Sequence, residues 1–170
     1  VYSDGGNTAP LTFQFHELVQ NDLYYDSMMT DWYNTGGYDS SLAYTSGLPS
    51  VLGAMPSTVQ SAIKSVNKKS SVGDKSTTIE TISCKLFPLS EVEILGTSTK
   101  SAPGEGTRYE YYSAGNSAQK CPCGTTAFQE YWTRSPGLNT THVWCVIKTD
   151  GAVTTTSVLN KRYISPAFCF

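Results

Sequence analysis

Large aromatic and small polar side chains, the residue types that make binding surfaces, are concentrated in the C-terminal part of the chain, residues 130–170. Tyr and Trp give stiff contact area with a polar end, and neighbouring Ser, Thr and Asn give adaptable hydrogen bonding. This chemistry is suited to recognising a ligand without a metal ion. The candidate binding residues are Trp132, Arg134, Asn139, Thr140, Thr141, Trp144 and Tyr163.

A structural role fits some of these residues equally well. If Trp132 and Arg134 lie on one face of a strand, Trp132 can fill the core while Arg134 binds a carboxylate or backbone carbonyls. Both interpretations stay open at this point. A second aromatic stretch, residues 24–33, gathers Tyr24, Tyr25, Trp32 and Tyr33 and is accompanied by Asp22, Asp26 and Asp31. It could be an acidic sugar-binding loop, but the pattern favours an ordinary aromatic core lining.

Catalytic motifs are absent from the sequence. It contains no glycine-rich phosphate loop, no His-Glu-x-x-His, no Gly-x-Ser-x-Gly and no acidic calcium loop. His142 and Cys145 are three residues apart, so on a strand they point to opposite faces and cannot exchange a proton. We therefore expect a protein that is not an enzyme.

The five cysteines do not form a recognisable metal site. Cys121-Pro122-Cys123 is followed by no second pair of ligands at similar spacing, and the remaining thiols are Cys84, Cys145 and Cys169. We expect no metal and no cofactor. A disulfide between two of the cysteines remains possible, and the odd count leaves a thiol that is reduced or bonded to another chain.

The elements that would position the candidate residues are mainly strands. Alternation predicts a strand near 142–149 that turns at Asp150-Gly151, a strong hairpin signal, into an edge strand near 152–158. Residues 77–87 read as another strand. In residues 11–15, Leu11, Phe13 and Phe15 alternate with polar residues, which predicts a strand with these three side chains facing inward.

Three short helices are predicted. The clearest is 56–66, where Val59, Ile63 and Val66 share one face. Ser90 is suited to cap a helical turn that follows it, and Leu48-Pro49 should interrupt a helical region between 39 and 55. Residues 96–107, rich in Ser, Thr, Gly and Pro, are predicted to form a surface loop.

Composition limits the possible partners. The chain has 170 residues, which suits one domain spanning 1–170, and its 15% charged residues give a net charge of −2 with Lys and Arg mostly scattered. Nucleic acid is therefore not expected as a partner. No run of 18 apolar residues is present, so we expect no membrane insertion. The Tyr- and Gly-rich balance suits an extracellular or virion-surface protein, and a start at Val1 suggests a piece of a larger one.

Several motifs in combination resemble a known family. The most specific are Lys-x-Phe-x-Leu-Ser-Glu-x-Glu at 85–93 and Trp-x-Arg-Ser-Pro-Gly at 132–137, supported by 59–69, by Trp144 and by 165–168. They resemble an uncharacterised domain family of surface proteins in gut Firmicutes and their phages. That family is similar to C-type-lectin-like domains, including variable receptor-binding proteins of phages and retroelements. The resemblance covers about 39–170.

The resemblance implies a fold and a function. The fold would be α+β and C-type-lectin-like, with short helices packed on twisted antiparallel strands and a closing hairpin at Asp150-Gly151. The function would be non-enzymatic recognition of a host cell-surface glycan or protein, on a virion or cell surface. The Glu-Pro-Asn, Gln-Pro-Asp and Trp-Asn-Asp signatures of calcium-dependent lectins are absent, so calcium is not expected. The alternative is a virion decoration domain whose aromatic surfaces are buried against neighbouring subunits.

Overall fold

A computed structural model describes residues 2–4, 7–9, 11–20 and 22–170 as a mixed α+β domain with short helices and small sheets. The strands are β1 (Tyr2–Asp4), β2 (Asn7–Ala9), β3 (Thr12–Gln14), β4 (Val66–Ser71), β5 (Ile79–Cys84), β6 (Phe87–Pro88), β7 (Tyr131–Pro136), β8 (Val143–Ile147), β9 (Val153–Ser157), β10 (Tyr163–Ile164) and β11 (Pro166–Cys169). The α-helices are α1 (Leu48–Gly53), α2 (Ser57–Ala62), α3 (Glu91–Leu95) and α4 (Glu110–Ser113), preceded by a 3-10 turn (Gly37–Ser40) and a π-turn (Ala43–Gly47).

The largest sheet contains the predicted closing hairpin. Its strand order is β10-β7-β8-β9, with β8 and β9 antiparallel and joined through Asp150-Gly151. Gly151 has φ 83°, a left-handed conformation that favours glycine at this turn. β9 lies at the sheet edge and is half-buried throughout. The hairpin and the edge position of β9 are confirmed, whereas β10 pairs with β7 in parallel.

A second sheet, ordered β3-β11-β6, joins the two ends of the described chain. The predicted strand at 11–15 forms, but its inward orientation was wrong, because Leu11 is 54% and Phe13 40% exposed. The opposite face is held by polar contacts: Gln14 donates to the Ser165 hydroxyl and accepts from the Tyr112 hydroxyl. Leu11 and Phe13 therefore face outward, whereas Phe15, just after β3, is half-buried and packs against the core.

The predicted helix over 56–66 is shorter than expected. α2 ends at Ala62, and Ile63 adopts extended backbone with ψ 124°. Val66 then opens β4, which pairs antiparallel with β5 along its full length. The polar segment 67–71 was not predicted as a strand because it lacks apolar alternation. Six residues of β4 pair with residues of β5, and this strand pairing outweighs the helical tendency indicated by the spacing of Val59 and Val66.

Two further local predictions need correction. Leu48-Pro49 does not interrupt a helix: Pro49 lies in the first turn of α1, which continues directly from the π-turn Ala43–Gly47. The loop 96–107 is not wholly at the surface, since Ala102 and Glu105 are fully buried. The Ser90 cap is confirmed, with a reciprocal pair of bonds to Glu93 that forms a capping box at the start of α3.

The core consists of two apolar clusters that meet at the large sheet. One is centred on Trp132, Trp144 and Val146, and the other on Phe87, Tyr131 and Ile147. Among the described residues no helix has the length and apolar character that a membrane span needs. The molecule thus combines small sheets and short helices with long irregular connections.

Candidate binding surface

The two candidate tryptophans of the C-terminal part lie inside the core. Trp132 and Trp144 are both 0% exposed. Their indole N–H groups donate to the carbonyls of Asp26 at 2.9 Å and Thr133 at 2.9 Å. A buried Trp needs such a partner, because an unpaired N–H away from water is unfavourable by about 1–3 kcal/mol. Their position and their contacts are those of core residues.

Arg134 is also fully buried and bonds to backbone carbonyls of three separate segments. Its guanidinium donates to Lys69 O at 3.0 Å, Pro88 O at 2.7 Å and Glu105 O at 3.3 Å. It also forms an ion pair with Glu93 at 3.0 Å. A bulge in β7, between Trp132 and Pro136, brings this side chain out of the regular ladder. Between a structural role and ligand binding, these contacts give Arg134 the structural role, since it binds a carboxylate and backbone carbonyls.

The charges around Arg134 form a sealed network. Lys68 and Glu93 make an ion pair, and both are at most 1% exposed. Burial by itself would raise the pKa of Glu93, but Arg134 and Lys68 outweigh it and lower that pKa below its ordinary value. Glu105, the fourth member, accepts from the Ser71 backbone N–H at 2.8 Å and from the Ser135 hydroxyl.

Glu105 has the most unusual carboxyl group of this network. Burial raises its pKa from 4.5 to about 7, although its hydrogen bonds and Arg134 act in the opposite direction. Such a pKa is found in general acids and bases. Because the side chains of Lys68, Glu93, Glu105 and Arg134 are all sealed from solvent, no substrate can reach them. We assign the network to the scaffold.

The other candidate residues are accessible. Asn139 is exposed and Thr140 and Thr141 are half-buried in the loop 137–142 between β7 and β8. Tyr163 is half-buried on β10, with its ring 4.7 Å from that of Tyr25. These four residues can contact a ligand from outside.

The loop 137–142 lies beside aromatic residues from the N-terminal half. Trp32 is 58% and Tyr33 51% exposed, and both rings pack around His142 with centroid distances of 6.3 and 5.0 Å. His142 Nδ1 lies 3.0 Å from the Trp32 carbonyl. We call Trp32, Tyr33 and His142 the aromatic platform. It has an exposed aromatic surface next to the polar residues 139–141.

Asn34 holds the platform together. This buried side chain donates to the carbonyls of Gly137 at 3.1 Å and Val143 at 2.9 Å, and accepts from the Asp74 N–H at 2.8 Å. Its own backbone N–H donates to Thr141 O at 2.7 Å. One residue thereby fixes three chain segments relative to each other, so the platform is formed before any ligand binds.

The sequence-based preference for a core lining at 24–33 was wrong for Tyr25, Trp32 and Tyr33, which are exposed, and right for Tyr24, which is 4% exposed. Asn34 was not identified at all. A signal was present in the residues after Tyr33, where Asn34-Thr35-Gly36-Gly37 indicates a turn rather than a buried strand. Aromatic residues that immediately precede such a turn are placed near the surface.

The cysteines are all free thiols, and three of them are buried. All five thiols are unbonded to one another, with Cys84, Cys145 and Cys169 buried. Burial raises the pKa of Cys84 to about 12, which keeps this thiol protonated and unreactive. Within the described part of the chain, no group of three or more His, Cys, Asp and Glu side chains is arranged to hold a metal ion.

Comparison with known proteins gives a family but no precedent for a function. Residues 11–170 match the model of a family described as a domain of unknown function (DUF6273). No curated protein and no solved structure matches the chain.

Proposed function

The chain belongs to the DUF6273 family, and we propose that it is a non-enzymatic binding module that recognises a host cell-surface glycan or protein without calcium. The observation that carries the proposal is the aromatic platform beside the loop 137–142. The module would act on the surface of a phage particle or a bacterial cell. This location, and a C-type-lectin-like form of the α+β fold, rest on the motif resemblance at 85–93 and 132–137.

The chemistry of the platform supports a glycan or a glycan-bearing protein. The Trp32 and Tyr33 rings are adjacent and more than half exposed, and a contiguous exposed aromatic patch is typical of an interaction site. An exposed ring stacks against the apolar face of a sugar, while Asn139 and the Thr140 hydroxyl supply hydrogen bonds to its hydroxyl groups. Asp31, next to Trp32, adds an acceptor.

The experiment compares ligand binding by the whole chain and by matched variants on glycan arrays and host cells. Trp32→Ala and Tyr33→Ala should each weaken binding about tenfold or more, because an exposed aromatic anchor typically contributes 1–2 kcal/mol or more. Phe128→Ala, which truncates a 45% exposed ring elsewhere, is the control and should bind normally. If the wild-type chain binds to neither arrays nor cells, or if Trp32→Ala binds unchanged, the proposal fails.

A second candidate function, assembly with further copies of the chain, is favoured by the outward apolar face of β3. Phe13, Phe168 and Phe170 form a cluster with ring centroids 5.2 to 5.7 Å apart, and Leu11 beside Phe13 on the chain is also exposed. Among the described strands β3 has a neighbour on one side only. An edge strand with an apolar face can pair with its own copy about a two-fold axis, which would bury both rows of phenylalanines.

Light scattering after size-exclusion chromatography separates the two functions. Stable self-association that is lost in Phe13→Ser would support assembly, whereas a monomer that binds its ligand through Trp32 would support recognition alone. A monomer at all concentrations would exclude the assembly function.

A further inference from the structure

A half-open cavity of about 320 Å³ lies on a different part of the molecule from the aromatic platform. It is formed between β3, α4 and Lys120. None of the platform residues lines it. Its size falls at the lower end of small-molecule sites, and a cavity of about 150 Å³ is already large enough for a benzene ring. One six-membered ring with substituents therefore fits, and a long oligosaccharide does not.

One wall of the cavity is aromatic. Tyr111 is 59% exposed, and its ring stands edge-on to that of Tyr112 at 5.1 Å. The rings provide faces against which a flat or chair-shaped ring can stack. The Tyr112 hydroxyl is already bonded to Gln14, which fixes the floor of the cavity.

Lys120 gives the cavity its charge. Its ammonium donates to the carbonyls of Phe15 at 2.7 Å and His16 at 3.2 Å, which leaves one of its three N–H groups for a ligand. Among the described residues that line the cavity there is no carboxylate, and His16 is the other side chain with a titratable nitrogen. Burial lowers the pKa of Lys120 to about 8, as expected for a cation without an anionic partner.

This partly desolvated ammonium lies beside aromatic faces, and no described residue of the cavity supplies an anion to compensate it. We propose that this cavity binds a single six-membered ring bearing a carboxylate, with the carboxylate on Lys120 and the ring against Tyr111. Two classes of compound share this chemistry, aromatic acids and acidic sugars. The site is independent of the aromatic platform and of the function proposed for it.

The test is isothermal titration calorimetry of the whole chain with four probes in two matched pairs. These are benzoate against benzamide, and glucuronate against glucose. Benzoate or glucuronate should bind at least about tenfold more tightly than its neutral partner, since a charge-assisted bond is involved. Benzoate alone would indicate an aromatic acid, glucuronate alone an acidic sugar, and either result supports the proposal. Acetate, which has no ring, should bind about tenfold more weakly than the better probe.

Two variants test the assigned residues. Lys120→Met keeps most of the side-chain length and should weaken binding of the charged probe about tenfold to a hundredfold. Lys161→Met, which removes the charge of a 63% exposed side chain, is the control. Tyr111→Ala removes an exposed ring, so folding is preserved, and should weaken binding about threefold to tenfold. Tyr33→Ala is its control, because it alters the platform and not the cavity.

Several outcomes would overturn the inference. They include no binding of any probe up to about 10 mM, equal affinity for charged and neutral partners, and unchanged affinity in Tyr111→Ala or in a folded Lys120→Met. If Lys120→Met does not fold, the comparison of Tyr111→Ala with its control Tyr33→Ala still tests the proposal. Loss of probe binding in Tyr33→Ala would place the probe on the platform and reject the cavity site.

Discussion

The free energy of unfolding of the wild-type chain should fall as the pH rises, and replacing Glu105 by Gln should remove most of that fall. The Glu105 carboxyl is fully buried, and burial raises its pKa from 4.5 to about 7. Between these values the folded chain holds a proton that the unfolded chain has released. Protons bound more tightly by the folded state stabilise it at low pH, so this contribution is complete below about pH 4.5 and is lost as the pH rises through about 7.

The magnitude follows from the size of the shift. Each pKa unit corresponds to about 1.4 kcal/mol, so a shift from 4.5 to about 7 corresponds to about 3 kcal/mol. Glu93 affects stability in a different pH range. Its lowered pKa stabilises the folded chain, and this stabilisation is lost only as the pH falls below the ordinary pKa of a Glu carboxyl. The two effects are therefore separable above about pH 5.

Gln is a close substitute for the protonated Glu105 side chain. Its carbonyl can accept from the Ser71 N–H, and its amide can donate to the Ser135 hydroxyl oxygen, without a charge to bury. Glu105→Gln should resemble the wild type near pH 5 and exceed its stability by up to about 3 kcal/mol near pH 8.

The measurement is urea unfolding at both pH values, followed by circular dichroism. Glu110→Gln, at an exposed position on α4, is the control and should keep the pH dependence of the wild type. An equal change in unfolding free energy between the two pH values for Glu105→Gln and the wild type would refute the assignment of this titration to Glu105.

The remaining predictions concern the residues that hold the loops, and urea unfolding measures each of them. Arg134→Met should destabilise by about 3–5 kcal/mol, because it leaves Glu93 with less compensation in a sealed site. Asn34→Ala should cost on the order of 3 kcal/mol through three lost hydrogen bonds. Gly73→Ala should cost more than about 2 kcal/mol, since its φ is 76° and the added carbon would lie 1.8 Å from the Asn34 carbonyl. Its control, Gly53→Ala, meets nothing within 4 Å and should be neutral or gain up to about 1 kcal/mol.

Local sequence signals predicted the hairpin and the capped helix because both are decided over a few residues. Asp150-Gly151 determines the turn between β8 and β9 by its backbone preference, and Ser90 with Glu93 determines the start of α3 by two reciprocal bonds. Neither depends on distant parts of the chain. The same reasoning failed at 63–66. The spacing of Ile63 and Val66 predicts a helix, but Val66 is the first residue of β4 and pairs with β5.

The orientation of β3 and the composition of the platform could not be predicted, because both depend on distant partners. Alternation in residues 11–15 shows that one face is apolar but not which face is covered. Contacts of Gln14 with Tyr112 and Ser165, about 100 and 150 residues away, decide that. Likewise, Trp32 becomes a surface residue beside His142 only because Asn34 binds the loop that precedes β8.

The buried polar residues explain how a chain with so little regular structure can present a fixed surface. A loop of irregular backbone is rigid only when its N–H and C=O groups have partners. Glu91 accepts from the N–H groups of Thr99, Lys100 and Ser101, and Arg134 donates to carbonyls of three segments. Asn34 performs the same task beneath the platform. A surface ordered in advance loses less entropy on binding, so these contacts suit the binding that we propose for the platform and the cavity.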